Sequence, residues 1–149
     1  MTFSAVILIG ALVLLLAITC TDVCTGFVPD FLSLPLLALG IVHAFLSPPF
    51  SPLSPLIGFA FFALQRILGK EKWIGGADII VAAALGFFFL DWRLEVLSLM
   101  IAYLCGSIVG TVLLLAHVKR KEDSIAFIPF LALGAIVAFV FGPSLLAHI

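Results

Sequence analysis

Charged side chains are scarce in this chain, which has only seven lysines and arginines and eight aspartates and glutamates among 149 residues. They make up 10% of the sequence, whereas soluble domains are about one quarter charged. Apolar residues account for 64%, and the mean hydropathy is +1.40. A soluble domain of this size cannot hide so much apolar surface from water. We therefore expect the lipid bilayer to be its solvent.

Two further shortages exclude other classes of protein. The net charge is −1, so the chain lacks the basic field that attracts nucleic acid, and we expect no nucleic-acid partner. Three cysteines, Cys20, Cys24 and Cys105, are too few for a disulfide scaffold. Cys20 and Cys24 have the spacing C-x-x-x-C but no second ligand pair, so we expect neither a metal nor another cofactor.

The apolar N-terminus, MTFSAVILIGALVLLLAIT, lacks the basic start and the small-residue cleavage site of a signal peptide. We interpret it as a membrane span that stays in the protein. Since a helix needs about 20 apolar residues to cross a bilayer, we predict an all-α polytopic membrane protein with six transmembrane helices in a single domain, residues 1–149. The predicted spans are residues 3–20, 31–47, 53–69, 74–90, 94–117 and 125–147.

The basic residues indicate how these spans are oriented. Only Arg93 lies in an even-numbered connection, and six others lie in odd-numbered ones: Arg66, Lys70, Lys72, Lys119, Arg120 and Lys121. Because basic residues concentrate in cytoplasmic loops, we expect a multi-pass protein of the plasma (inner) membrane with both termini extracytoplasmic. Asp22 and Asp78 then lie on the same, cytoplasmic side.

Asp78 is the one charged residue in the apolar run WIGGADIIVAAALGFFFL. An ionisable residue within a membrane segment is costly and usually functional. Together with Asp22 it suggests a carboxylate pair that shares a proton, in which one acid serves as base and the other as acid. Gly75 and Gly76 permit unusual backbone angles and the close approach of an extended peptide. The alternatives are that Asp78 only caps the fourth helix and that Asp22 is an interfacial loop acid.

The remaining polar residues have simpler interpretations. We expect Asp30 to be the N-cap of the second helix, and Asp91 and Glu95, near Arg93, to be solvated end charges. Gly106 and Gly110 form a small-x-x-x-small face suited to close helix packing.

Three stretches, in order and covering almost the whole chain, resemble the prepilin peptidase (type IV leader peptidase) family of GxGD-type membrane aspartic proteases. DVCTGFVPD resembles the family pattern D-x-R-T-x-x-I-P-N, and GGADII resembles G-G-G-D-x-K or G-x-G-D. AFIPFLALG resembles P-F-G-P-F-L-A-L-G. The matching positions are Asp22, Thr25, Val28, Pro29, Gly75, Asp78, Phe127 and 129–134.

The resemblance implies an endopeptidase that cuts the basic leader from pilin-like precursors at the cytoplasmic face. Asp22 and Asp78 would be catalytic, and the motif positions Gly75, Gly76, Ala77, Pro129 and Phe130 would contact the substrate. It further implies a short form without the methyltransferase part, which cleaves without methylating. Ala77 and Ile80 depart from the family pattern, as do Cys24, Gly26, Ala126 and Ile128, and these departures concern substrate choice more than the carboxylate pair.

Three other functions are compatible with parts of this sequence. A proton-coupled transporter component predicts acids near the bilayer midplane and an internal repeat, and the sequence shows neither. An intramembrane protease similar to presenilin predicts a P-A-L signature in the last span, where this chain has I-P-F. An inactive pilus-assembly scaffold is compatible with the altered flanking positions, but the retention of both acids disfavours it.

Overall fold

The computed structural model describes residues 3–69, 75–89, 91–117 and 125–146. Within these residues the chain forms six α-helices and no strand, which confirms the all-α prediction: α1 (Phe3–Thr25), α2 (Asp30–Leu46), α3 (Leu53–Leu68), α4 (Gly76–Phe88), α5 (Trp92–Leu115) and α6 (Ile128–Leu146). Each predicted span overlaps one helix. The largest boundary difference is at α1, which ends at Thr25 and not at residue 20.

The helices differ in length, which determines whether each one could cross a bilayer. Three of them, α1, α5 and α6, are long and apolar enough to do so. The other three are apolar but shorter, with 17 residues in α2, 16 in α3 and 13 in α4. At 1.5 Å per residue, α4 extends only about 20 Å, against a hydrocarbon core of about 30 Å.

Neighbouring helices surround the centre of the short helix α4. Its residues 81–86 are all buried, and it packs against α2 on one side and α3 on the other. Small residues allow these helices to approach closely. A Cβ added to Gly40 would lie 2.8 Å from the Ala84 carbonyl oxygen, and one added to Gly58 would lie 2.9 Å from that of Ala82. Helices α2 and α3 therefore pack directly against the backbone of α4, the helix that carries Asp78.

Glu95 is not the solvated end charge that we predicted, because its side chain is only 1% exposed. It lies in the first turn of α5 and faces α3, where a Cβ added to Gly58 would be 2.6 Å from Glu95 Oε1. Its Oε2 has no hydrogen-bond partner among the described residues. Asp91, by contrast, is an end charge as predicted, although it is half-buried: it is the N-cap at the start of α5 and accepts a 2.9 Å hydrogen bond from the Arg93 backbone N–H.

We expect Glu95→Met to raise the thermal unfolding midpoint of the protein in detergent. Methionine is similar in length and apolar, and a buried polar group without a partner costs about 1–3 kcal/mol. Glu95→Gln, which keeps polar atoms at this position, is the matched control and should not give the same increase. A lower midpoint for Glu95→Met than for the unmodified protein would contradict this prediction.

Candidate active site

Asp22 lies in the last turn of α1 and is 8% exposed. Its Oδ2 accepts a 3.1 Å hydrogen bond from the backbone N–H of Ile128, the first residue of α6. This buried bond joins positions that are far apart in the sequence. It fixes the carboxylate of the first helix against the start of the last one.

Helix α1 ends within one turn after Asp22, at Thr25, because of a glycine turn. Gly26 has a φ of +65°, a left-handed conformation that glycine adopts without the steric cost a Cβ would bring. Its backbone N–H donates to the Asp22 carbonyl oxygen at 2.9 Å, which closes the helix. The Thr25 hydroxyl accepts from the Phe27 N–H at 3.2 Å and holds the turn. The chain therefore leaves the helix within one turn of the carboxylate.

Asp78 is the third residue of α4 and is half-buried. Its Oδ2 accepts a 3.0 Å hydrogen bond from the backbone N–H of Gly75, which is the N-cap residue. This is the N3 half of a capping box. The local capping role that we considered as the alternative is therefore present, but Asp78 exercises it from inside the helix.

The glycines before Asp78 do not use angles reserved for glycine. Gly75 is extended, with a φ of −67° and a ψ of 152°, and Gly26 is the positive-φ glycine of the described residues. Ala77 lies in the first turn of α4 and packs against the core, so its Cβ fits there. Both glycines are exposed, and the close approach of a peptide to them stays a prediction.

A cavity of about 500 Å³ brings the two aspartates together. Its wall includes Asp22, Asp78 and the segment 75–77, along with the turn after α1 and the segment that leads into α6. The two carboxyl groups are near enough for the charge of Asp22 to act on Asp78. The volume is in the usual range for a ligand site of about 300–1,000 Å³.

Two charged residues in this cavity were not predicted as part of it. Asp30 is not the N-cap of α2, since Pro29 occupies that position and makes no side-chain cap bond. Asp30 is instead the first helical residue, is exposed and lines the cavity. Arg66, from the last turn of α3, also lines it, and a Cβ added to Gly76 would lie 2.7 Å from Arg66 Nη1. From the sequence, Arg66 indicated only how the helices are oriented in the membrane.

Pro129 and Phe130 lie in the first turn of α6 and are half-buried. Neither lines the cavity, whereas the preceding residues 125–128 do. The Phe130 ring packs 6.1 Å from that of Phe127, which packs 4.9 Å from Tyr103. Gly106 makes room for this cluster, because a Cβ added there would lie 3.1 Å from Phe127. A direct role of Pro129 and Phe130 in substrate binding stays a prediction.

Gly110 faces Ile125, at 3.5 Å from an added Cβ, so the packing face predicted for Gly106 and Gly110 meets the segment before α6. Among the basic residues that predicted the orientation, Arg93 is described in α5, whereas five lie outside the described residues: Lys70, Lys72, Lys119, Arg120 and Lys121. Within the described part of the chain, no group of three or more histidine, cysteine, aspartate or glutamate side chains could hold a metal ion.

Comparison with known proteins identifies a family and several relatives that this chain resembles. The model of the type IV leader peptidase family matches residues 8–115, a range that contains both aspartates. A protein of Burkholderia pseudomallei (strain 1026b), named prepilin leader peptidase/N-methyltransferase, is 33% identical over 141 residues. This alignment covers 89% of the present chain and 45% of that protein.

A protein of the same name from Aeromonas hydrophila is 29% identical over 153 residues, covering 97% of this chain and 51% of its own. The chain thus spans about half the length of the curated relatives it matches. No solved structure matches the chain. The family match, which covers most of the described helices and both cavity aspartates, means that this protein belongs to the type IV leader peptidase family.

Proposed function

We propose that this protein is a membrane aspartic endopeptidase, a hydrolase that cleaves the basic leader peptide from type IV pilin-like precursors. The observation that carries the proposal is that Asp22 and Asp78, from separate helices, line one cavity in a chain that belongs to the leader peptidase family. The names of the relatives support the same reaction.

The proposed chemistry needs one proton shared between the two carboxyl groups. The ionised carboxylate takes a proton from a water molecule, and the water oxygen attacks the carbonyl carbon of the scissile bond. The protonated carboxyl group gives its proton to the carbonyl oxygen. The tetrahedral intermediate then collapses: the C–N bond breaks, the leaving amine receives the proton held by the first carboxylate, and a hydroxyl group of the intermediate returns its proton to the second carboxylate as the C=O bond re-forms.

The surrounding residues have proposed roles that follow from their positions. The Ile128 N–H, at 3.1 Å from Asp22 Oδ2, keeps that carboxylate from rotating away from the cavity. The exposed segment Gly75, Gly76 and Ala77 forms the wall beside Asp78, along which an extended peptide binds. Pro129 and Phe130 support substrate binding through the turn that they form at the start of α6.

We further propose that the cavity faces the cytoplasm, in an inner membrane crossed by all six helices, with both termini outside. Arg66 supports this orientation, because it lies at the same end of the bundle as the two aspartates and basic residues favour the cytoplasmic side. A leader rich in lysine and arginine would then meet the enzyme where it is synthesised.

The test of the proposed function is a cleavage assay with the purified full chain in proteoliposomes. A type IV pilin precursor with a basic leader is incubated with it, and the product is followed by a gel shift and by sequencing its new N-terminus. We expect a single cut between the leader and the apolar segment. Absence of a cut across several such precursors would overturn the proposal and would favour the inactive scaffold.

A further inference from the structure

A second cavity, of about 260 Å³, lies between α1, α2, α4 and α6, away from the aspartates. We call it the apolar groove, and hydrocarbon side chains define it: Leu8, Leu12, Leu15, Phe88, Ile136 and Phe139. The exposed fractions are 45% for Leu12, 44% for Ile136 and 48% for Phe139. The groove therefore opens towards the surrounding lipid between α1 and α6.

The groove is aligned with the candidate active site. On α1 the groove residues Leu8 and Leu15 precede Asp22 by two and one steps of seven residues, a spacing that keeps them on one face of a helix. At 1.5 Å per residue they lie about 21 and 10 Å from Asp22 along the axis. On α6, Ile136 and Phe139 follow Ile128 at a similar depth, about 12 and 17 Å along the axis.

A substrate segment that extends from the candidate active site to the apolar groove would follow the outer surface of the bundle between α1 and α6. Ile18 and Leu131 lie between the two cavities and are 0% and 1% exposed, so the interior is filled there. Val23, which lines the carboxylate cavity, is 62% exposed. A helix lying on this surface would have one end at the aspartates and its side chains over the groove.

From this alignment we infer that the apolar groove receives the hydrophobic helix of the precursor while its leader is cut. The inference rests on the proposed function and names the part of the substrate that α1 and α6 bind. The precursor helix runs antiparallel to α1 and parallel to α6. By helix rise, its residues about 7 to 14 positions after the cut bond lie over the groove.

The size and chemistry of the groove suit such an occupant. Its volume exceeds that of an engineered cavity of about 150 Å³ that binds benzene, so it has room for more than one large aliphatic or aromatic side chain. In lipid, helices associate through packing of this kind and not through the exclusion of water. An apolar helix with protruding side chains would therefore gain contacts here that lipid alone does not supply.

The experiment fills the groove and compares two substrates in proteoliposomes. Leu12→Trp and Ile136→Trp place bulk in the groove, and Val13→Trp is the control because Val13 is 60% exposed and does not line it. We expect the two groove variants to raise KM for a full pilin precursor by roughly tenfold. A truncated precursor that ends six residues after the cut does not reach the groove. We expect the groove variants to cleave it with the same KM as the Val13→Trp control.

A photo-crosslinking side chain at Leu12 supplies an independent readout. We expect it to capture the full precursor at positions about 7 to 14 after the cut bond. Unchanged KM in both groove variants, or capture of phospholipid acyl chains alone, would overturn the groove inference while the unmodified enzyme still cleaves. Failure of the proposed function is recognised separately, because the unmodified enzyme would then cut neither substrate.

Discussion

Asp22→Asn and Asp78→Asn are each expected to lower the rate of precursor cleavage by about 10²- to 10⁴-fold, the range typical of a lost general acid or base. Each substitution replaces a carboxyl group that can exchange a proton by an amide that cannot. Because one group takes a proton from water while the other gives a proton to the substrate, loss of either group slows the reaction. The measurement is single-turnover cleavage of a pilin precursor by each variant in proteoliposomes.

Asparagine is chosen because it separates catalysis from local structure. An asparagine side-chain oxygen still accepts the bond from the Gly75 N–H that Asp78 accepts at 3.0 Å. At Asp22 it still accepts from Ile128, which is at 3.1 Å. The variants should therefore keep the thermal unfolding midpoint of the unmodified protein while losing cleavage.

The matched control is Asp91→Asn, which removes a carboxylate from the N-cap of α5, where asparagine is equally favoured. It should leave cleavage unchanged. If Asp78→Asn cleaves at the full rate, Asp78 is only a helix cap; if both cavity variants do, the carboxylate mechanism is wrong. A lower unfolding midpoint accompanied by normal cleavage would likewise assign these residues to structure alone.

Gly86→Ala is expected to destabilise the protein by about 1–3 kcal/mol, the usual cost of forcing extra volume into a packed interior. A Cβ on Gly86 of α4 would lie 2.5 Å from the Cα of Pro55 and 2.7 Å from its backbone nitrogen. Backbone atoms cannot move aside as a flexible side chain can, so α3 and α4 must separate. Thermal unfolding in detergent measures the loss.

Gly10→Ala is the control for this substitution, because both glycines lie inside helices. A Cβ on Gly10 would meet only Leu39 Cδ1, at the ordinary contact distance of 3.6 Å. Alanine favours a helix over glycine by about 1 kcal/mol, so the midpoint should stay level or rise. Equal midpoints for the two variants would show that α3 and α4 do not pack as described.

Gly86→Ala should also lower precursor cleavage, although Gly86 is far from the cavity along α4. The N-terminal turn of the same helix carries Asp78, and a shift of α4 changes the position of its carboxyl group relative to Asp22. Small misplacements of reacting groups can cost about 10²-fold in rate. Normal cleavage by a destabilised Gly86→Ala enzyme would show that α4 tolerates this displacement.

Local sequence patterns were sufficient to locate the six helices. Apolar runs broken by prolines and charges located one helix in each predicted span, because hydropathy and helix breaking depend on near neighbours. The end of α1 was missed by five residues, since the run up to residue 20 is apolar whereas the helix continues through TDVCT. Its true end depends on the glycine turn at Gly26, which a hydropathy pattern does not detect.

The sequence by itself determined the all-α class, the membrane-like composition and the two aspartates that stand out in their motifs. Tertiary structure alone decided that α3 covers Glu95, that Asp30 and Arg66 line the same cavity as Asp22 and Asp78, and that an apolar groove opens between α1 and α6. The physical reason is the separation in sequence of the residues that interact. A helix forms from residues a few positions apart, whereas burial and the shape of a cavity depend on helices that meet from distant parts of the chain.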